Sequence, residues 1–255
     1  MIMLKTNSEL KLMREANRII AVILTEIAAK IKPGVSTYEL DQWGEQRLAS
    51  MNAKPAFKGY GARNGRNGFP GSLCVAINEE VVHGIPAKDR ILEDGDIIGI
   101  DVGSIYKGYH GDGAYTYAVG EISPAARSLM KCCEEALYVG IAQARKGNRV
   151  SDISSAIDHY VTPRGYGIVR DLTGHGIGRS LHEEPQVLNY IDGHKGQKLK
   201  ENMTLAIEPM INGGTYKVRT LGDQWTVVTE DGSLSAHYEH TVLITSDGPE
   251  ILTRL

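Results

Sequence analysis

A ten-residue pattern that occurs twice constrains this chain more than any other feature. Leu92-Glu-Asp-Gly-Asp-Ile-Ile-Gly-Ile-Asp101 opens on leucine, runs through an apolar stretch and ends on an acid, and Leu199-Lys-Glu-Asn-Met-Thr-Leu-Ala-Ile-Glu208 does the same. Upstream, His83-Gly-Ile-Pro86 is echoed by His182-Glu-Glu-Pro185. Downstream, His110-Gly-Asp112 is echoed by His237-Tyr-Glu239. Three echoes in the same order point to an internal duplication with one acid pair per half. In the first copy Ile97, Ile98 and Ile100 read as a buried strand, Lys107-Gly108 as a turn, and Tyr115, Tyr117 and Val119 as the returning strand. The hairpin is expected to hold Asp101 near the end of one strand and Asp112 near the start of the next. Buried carboxylates without partners are costly, and a hard divalent cation is their natural partner.

The flanking segments supply helices. From Ser8 to Lys32 apolar residues recur at helical spacing until Pro33-Gly34 stops the run. Ser36 with Glu39 makes a capping box for a helix to about Met51. Ser123-Pro124 opens a helix that stops at Gly147, and Ser151 caps a shorter one ending near Pro163. Each half therefore reads helix, helix, strands. The expected architecture is α+β: two pseudo-two-fold halves, about 1–120 and 121–255, joined as a single catalytic domain over 1–255. One antiparallel sheet would carry helices on one face and a cleft on the other.

Composition excludes several classes. A formal net charge of −3 gives no basic field, so DNA is not an expected ligand. The three cysteines, Cys74, Cys132 and Cys133, form neither a C-x-x-C pair nor an even framework, which fits a reducing cytoplasm. The N-terminus lacks the pattern of a secretory signal, and Ile19 to Ile27 is too short to cross a bilayer. Arg63, Arg66, Lys217 and Arg219 could line a basic edge for a transient ribosome contact, but solvated loop charge is the favoured reading. No G-x-S-x-G elbow is present, and Gly174-His175-Gly176-Ile177-Gly178 lacks the spacing of a nucleotide-binding loop.

What remains is a set of four carboxylates and one imidazole: Asp101, Asp112, Glu208, Glu239 and His175. Four ionised acids would be balanced by two divalent ions, with room for a bridging hydroxide, and paired ions of this kind drive hydrolysis. The mixed oxygen and nitrogen donors admit Co, Mn, Fe or Zn. His83 and His182 are spare imidazoles at equivalent points of the duplication. They are placed to hydrogen-bond a substrate amide or its oxyanion. His110 and His240 alternate with ligand candidates and should face away.

These motifs, with Ile207-Glu208-Pro209-Met210 and Tyr238-Glu239-His240-Thr241, resemble the type I methionine aminopeptidases of the short bacterial form along nearly the whole chain. The resemblance implies the pita-bread fold and removal of the initiator methionine from nascent polypeptides when the second residue is small. A metal-bridging hydroxide would attack the scissile carbonyl. Asp101 would chelate one ion, Asp112 and Glu239 would bridge, and His175 and Glu208 would hold the second. Glu208 would also shuttle protons to the leaving amine, while His83 and His182 contact the amide. Tyr60, Phe69, Cys74, Leu181 and Trp225, joined by Phe57, would line the methionine pocket, where sulfur–aromatic contacts favour a thioether. A monomer is expected. Two features depart from the family: a longer loop over Gly61–Asn67, and His237 where glutamine is usual. His237 lies on the same strand face as Glu239 and would tune the metal from outside the ligand set, so His237→Gln is expected to alter the pH dependence of activity. The competing readings are a metal-free binding protein of the same fold and an Xaa-Pro dipeptidase-like hydrolase.

Overall fold

A computed structural model describes residues 2–62 and 67–255. Four α-helices flank the sheet: α1 (Asn7–Ile27), α2 (Thr37–Ser50), α3 (Pro124–Gln143) and α4 (Val150–Val161). Thr6 caps α1 in a reciprocal box with Glu9, and Ser36 with Glu39 does the same for α2. Ser123 caps α3, which ends at Gln143 rather than at Gly147. Ser151 does not cap α4 but lies inside it. Arg149 is the capping residue, and the Asp152 carboxylate reaches back to its N–H at 2.7 Å. The helix therefore starts where that acid satisfies a free donor.

Nine strands make one antiparallel sheet: β1 (Lys54–Pro55), β2 (Leu73–Ile77), β3 (Ile97–Tyr106), β4 (Tyr109–Ala118), β5 (Gly174–Gly176), β6 (Glu183–Val187), β7 (Thr204–Ile207), β8 (Glu239–Ile244) and β9 (Pro249–Ile251). The order is β1-β3-β4-β8-β7-β5-β6, with β2 also on β3 and β9 also on β8. The duplication is visible in that order. β3 and β4 carry Asp101 and Asp112, β7 and β8 lead into or carry Glu208 and Glu239, and the two inner strands, β4 and β8, pair with each other. Two three-stranded sheets complete the fold, one from Gly167–Ile168, Met210–Asn212 and Ser235–His237, the other from Glu80–Val82, Val218–Thr220 and Val227–Thr229.

The β3–β4 hairpin forms with Lys107 and Gly108 as its two-residue turn, both at positive φ. Asp101 sits in the middle of β3, not near its end, because Val102 to Tyr106 extend the strand to that turn. On the helix side, Ile98, Ile100 and Val102 pack with Ile20, Ile23 and Leu40 of α1 and α2. The second half repeats this: Leu205, Ile207 and Val242 pack with Cys133, Leu137 and Ile153 of α3 and α4. Each such side chain contributes about 1.5–3 kcal/mol on burial. A one-residue slip of β3 would send Ile100 and Val102 into the cleft and Asp101 into the helices, so the core fixes which way the acid points.

Candidate metal centre

Strand periodicity brings the donors together. Cys74 is opposite Asp101, Asp101 opposite Ala114, and Ala114 opposite Glu239, so one row of side chains crosses β2, β3, β4 and β8. Asp112 precedes Ala114 by two residues and shares its face. The fully buried Ala114 contributes only a methyl between two acids. Across β8, β7 ends just before Glu208, and His175 on β5 is opposite Ala206, two residues before that glutamate. His240, one position on from Glu239, points the other way. Its Nδ1 meets the Thr253 hydroxyl at 2.8 Å and its Nε2 the Tyr115 hydroxyl at 3.1 Å. His110 likewise lies outside the cleft, against the Gly178 carbonyl.

One ligand atom each from Asp112, His175 and Glu239 lies within 4.8 Å of the others. His175 Nε2 is 3.4 Å from Glu208 Oε1 and 3.9 Å from Asp112 Oδ2. The His175 Nδ1 donates to the Gly176 carbonyl at 2.8 Å, which leaves the Nε2 lone pair facing the acids. Gly176 is required where it stands, since a Cβ there would meet the Glu184 carbonyl oxygen at 2.2 Å.

The acids have no protein partner to match their charge. Asp101 Oδ1, Asp112 Oδ1 and Glu239 Oε1 are buried and unpartnered. Burial pushes Asp101 up to about 8. It also pushes Asp112, Glu208 and Glu239 well above the usual carboxylate range, and repulsion from neighbouring acids adds to burial in all three. Burial pulls His175 down to about 3, so it is a neutral donor. Three orphaned oxygens, the added repulsion of Glu208 and an aimed imidazole lone pair fit divalent cations and fit no other arrangement of these groups as well.

The expected ligand and pocket residues line one cleft, and His237 does not. Phe57, Tyr60, Phe69, Cys74, Leu181 and Trp225 supply its apolar lining, and His83 and His182 line it together with the acids. The cleft encloses roughly 610 Å³ including its solvent-filled mouth, within the size range of small-ligand sites. Phe69 and Trp225 meet edge to face at 5.4 Å. Gly103 gives Phe57 its place, since a Cβ there would lie 2.7 Å from the ring. Tyr60 is fixed from the base of its loop: the Gly59 N–H donates to the Phe69 carbonyl and the Phe69 N–H to the Tyr60 carbonyl. Part of the expected Gly61–Asn67 departure, residues 63–66, lies outside the described residues, and with it Arg63 and Arg66. Lys217 lies 4.0 Å from Glu230, which agrees with solvated loop charge.

His237, expected on the face of Glu239, has its Nε2 3.8 Å from Glu208 Oε2. Burial holds it down at about 3, so the imidazole stays neutral throughout the neutral range and cannot itself introduce a titration there. Sequence reasoning missed the groups that orient the ligands. Asn17 of α1 accepts from the Asp112 N–H at 3.3 Å, Thr241 donates to the Asp112 carbonyl at 2.8 Å, and Asn189 donates to the Glu208 carbonyl at 3.0 Å. An available signal was Asn17 itself, an amide on the apolar stripe of α1 that needed a buried partner.

Residues 11–246 match the family model described as metallopeptidase family M24. The chain belongs to that family. Among M24 proteins it is 52% identical over 255 residues to methionine aminopeptidase 1 of Bacillus subtilis (strain 168), covering 100% of both chains. It is 51% identical over 253 residues to the methionine aminopeptidase of Clostridium acetobutylicum, covering 99% of each. The crystal structure of methionine aminopeptidase from Thermotoga maritima superposes with a TM-score of 0.96 at 43% identity over the full length of both. Prolidase from Pyrococcus furiosus superposes at 0.78 with 25% identity, and this chain covers 99% of itself but 65% of the prolidase. The M24 chain thus has the pita-bread fold common to both. No helix among its described residues is long and apolar enough to cross a membrane.

Proposed function

We propose that this M24 chain removes the initiator methionine from the N-termini of nascent polypeptides whose second residue is small. Asp101, Asp112, His175, Glu208 and Glu239 would hold two divalent ions. The observation that carries the reading is the junction of an unpartnered acid and imidazole set with an apolar slot in one cleft. When bound, the ions supply a water nucleophile at neutral pH and polarise the scissile carbonyl. Asp112 and Glu239 would be shared by the ions, and Asp101, His175 and Glu208 would complete the donor set.

The remaining steps belong to side chains. The slot takes the methionine side chain, where Phe57, Phe69 and Trp225 offer ring edges and faces to its sulfur. His83 and His182 hydrogen-bond the scissile amide and fix its carbonyl against the acids. Glu208 takes the proton released on attack and gives it to the leaving amine. The two halves, about 1–120 and 121–255, act as one catalytic unit, because each supplies part of the donor set. The set does not choose among Mn, Fe, Co and Zn, so availability decides. A metal-free binding protein would have no use for these five donors, and identity to the Xaa-Pro hydrolase structures is 25–26%, against 51–52% to the methionine aminopeptidases.

The test is release of methionine from Met-Ala-Ser by metal-stripped protein titrated with Mn(II) or Co(II), beside Asp112→Ala and beside an Xaa-Pro dipeptide. Metal-dependent release from the tripeptide alone, lost in the variant, is expected. Inactivity with every metal would overturn the reading.

A further inference from the structure

The Tyr60 hydroxyl lies 2.6 Å from His182 Nδ1. An imidazole N–H donating to an oxygen normally sits at 2.7–3.2 Å, so this contact is shorter than that direction of donation gives. A phenol is also the better donor of the pair, since its oxygen lone pair is delocalised into the ring. The geometry therefore assigns the proton to Tyr60, which makes Nδ1 the acceptor and puts the imidazole proton on Nε2. We propose that Tyr60 is a positioning residue: it locks His182 in the Nε2–H form so that this nitrogen presents a donor to the scissile amide. The inference rests on the reading of His182 as an amide contact.

Three features support it. Tyr60 meets His182 edge to face at 5.4 Å between ring centroids, and His182 meets the ligand candidate His175 edge to face at 4.3 Å, so the imidazole is held between two rings. A carbonyl, and still more its oxyanion, accepts a hydrogen bond but cannot donate one, so only the Nε2–H form is useful there. The opposite tautomer would aim a lone pair at the substrate oxygen. Finally, Tyr60 is pinned to Phe69 through backbone hydrogen bonds at the base of its loop, so the hydroxyl is delivered from a fixed point at the mouth of the apolar slot. Tyr60 thus links the wall of the methionine pocket to the group that recognises the amide.

The test uses Tyr60→Phe, which keeps the ring and its packing and removes only the hydroxyl. Nitrogen-15 NMR of the imidazoles in the metal-free protein, with His182 assigned from the resonances lost in His182→Gln, reads the tautomer without any turnover. Nδ1 should report as unprotonated and Nε2 as protonated in the wild type, and Tyr60→Phe should mix the two forms. In the Mn(II)-loaded enzyme, kcat for Met-Ala-Ser should fall about tenfold with KM changed less than about twofold. A wild-type His182 protonated on Nδ1 would overturn the proposal, as would a Tyr60→Phe enzyme with unchanged tautomer or unchanged kcat. Wild-type enzyme that releases no methionine would instead fail the functional reading itself, and the tautomer measurement still decides the assignment made here.

Discussion

Removing one buried charge should make the metal-free protein more stable while making it a poorer metal binder. Asp101→Asn is the clearest case, because the side chain keeps its shape and loses its charge. In the metal-free protein the Asp101 carboxyl rises from 3.8 to about 8 on folding, through burial. A folded value above the unfolded one means that the native state binds the extra proton. Stability is then greatest below the unfolded value and declines as pH rises from about 4 to about 8. At about 1.36 kcal/mol per tenfold change in proton affinity, the rise from 3.8 to about 8 amounts to between about 5 and about 6 kcal/mol above pH 8. Asp101 Oδ1 is sealed, but the residue as a whole keeps partial contact with the cleft, so water screens part of this cost. We take about half, roughly 3 kcal/mol. Urea unfolding of chelator-treated wild type and Asp101→Asn at pH 6, 7 and 8.5 measures it. About half of the window from pH 4 to 8 lies inside this series, so the wild type should lose stability across it and the variant about 1.5 kcal/mol less, while Co(II) titration of the variant shows weakened binding. Parallel pH profiles for the two proteins would refute the claim that this acid is strained without a cation.

Two further outcomes follow from the same structure. Lys5 is buried, with Nζ 2.7 Å from Glu183 Oε2, and the other oxygen of Glu183 accepts from the N–H groups of Arg179 and Ser180. Lys5→Met strands that carboxylate and should cost about 3 kcal/mol, seen as a Tm lower by roughly 10 °C, with partial recovery on adding Glu183→Gln; an unchanged Tm would show the pair to be idle. His237 is neutral throughout the neutral range, so His237→Gln should leave the inflections of the pH–kcat/KM profile between pH 6 and 9 where they are, contrary to the expectation from the sequence alone. A lost inflection would mean that the imidazole titrates in the working range.

The donor set was legible because period-2 patterning and a repeated motif both survive folding unchanged. Asp101 with Ile100 and Val102, and Glu239 with His240, alternate between cleft and core as any half-buried strand must. The polar residues that orient the donors were not legible, since their partners are chosen by packing and not by spacing. Asn17 finds the Asp112 N–H 95 positions away, and nothing in either local sequence encodes that meeting. The same holds for the two small sheets, whose three-residue strands are too short to show a period and are fixed only by what they pair with. Asp101 was expected near the end of its strand, whereas the strand runs on through Gly103 to Tyr106. In the fold that glycine leaves space for Phe57, so a residue that weakens the strand signal builds the pocket wall.

The pseudo-symmetry of the sheet also shows where the halves diverge. Taken outward from the junction of the two inner strands, the first half runs β4, β3, β2 and the second β8, β7, β5. The outer strands β2 and β5 are therefore counterparts, and each presents a side chain to the cleft: Cys74 opposite Asp101 on one side, His175 opposite Ala206 on the other. Cys74 is buried, and its thiol is pushed well up by burial and by the nearby Asp101 and Asp112, so it stays a protonated, apolar wall residue beside Phe69. His175 has its Nδ1 tied to the Gly176 carbonyl and its lone pair turned inward. The acids are thus shared evenly between the halves, whereas the outer strands are not alike: one closes the slot for a side chain and the other adds the nitrogen donor. An exchange of character at that position, Cys74→His, would place an ionisable donor in the slot and remove the small, soft wall that a thioether needs. Such a variant should keep its metal affinity, because all five donors remain, and lose methionine release through a raised KM. Retained KM would mean that the two outer strands are not the places where the duplicated halves took up different work.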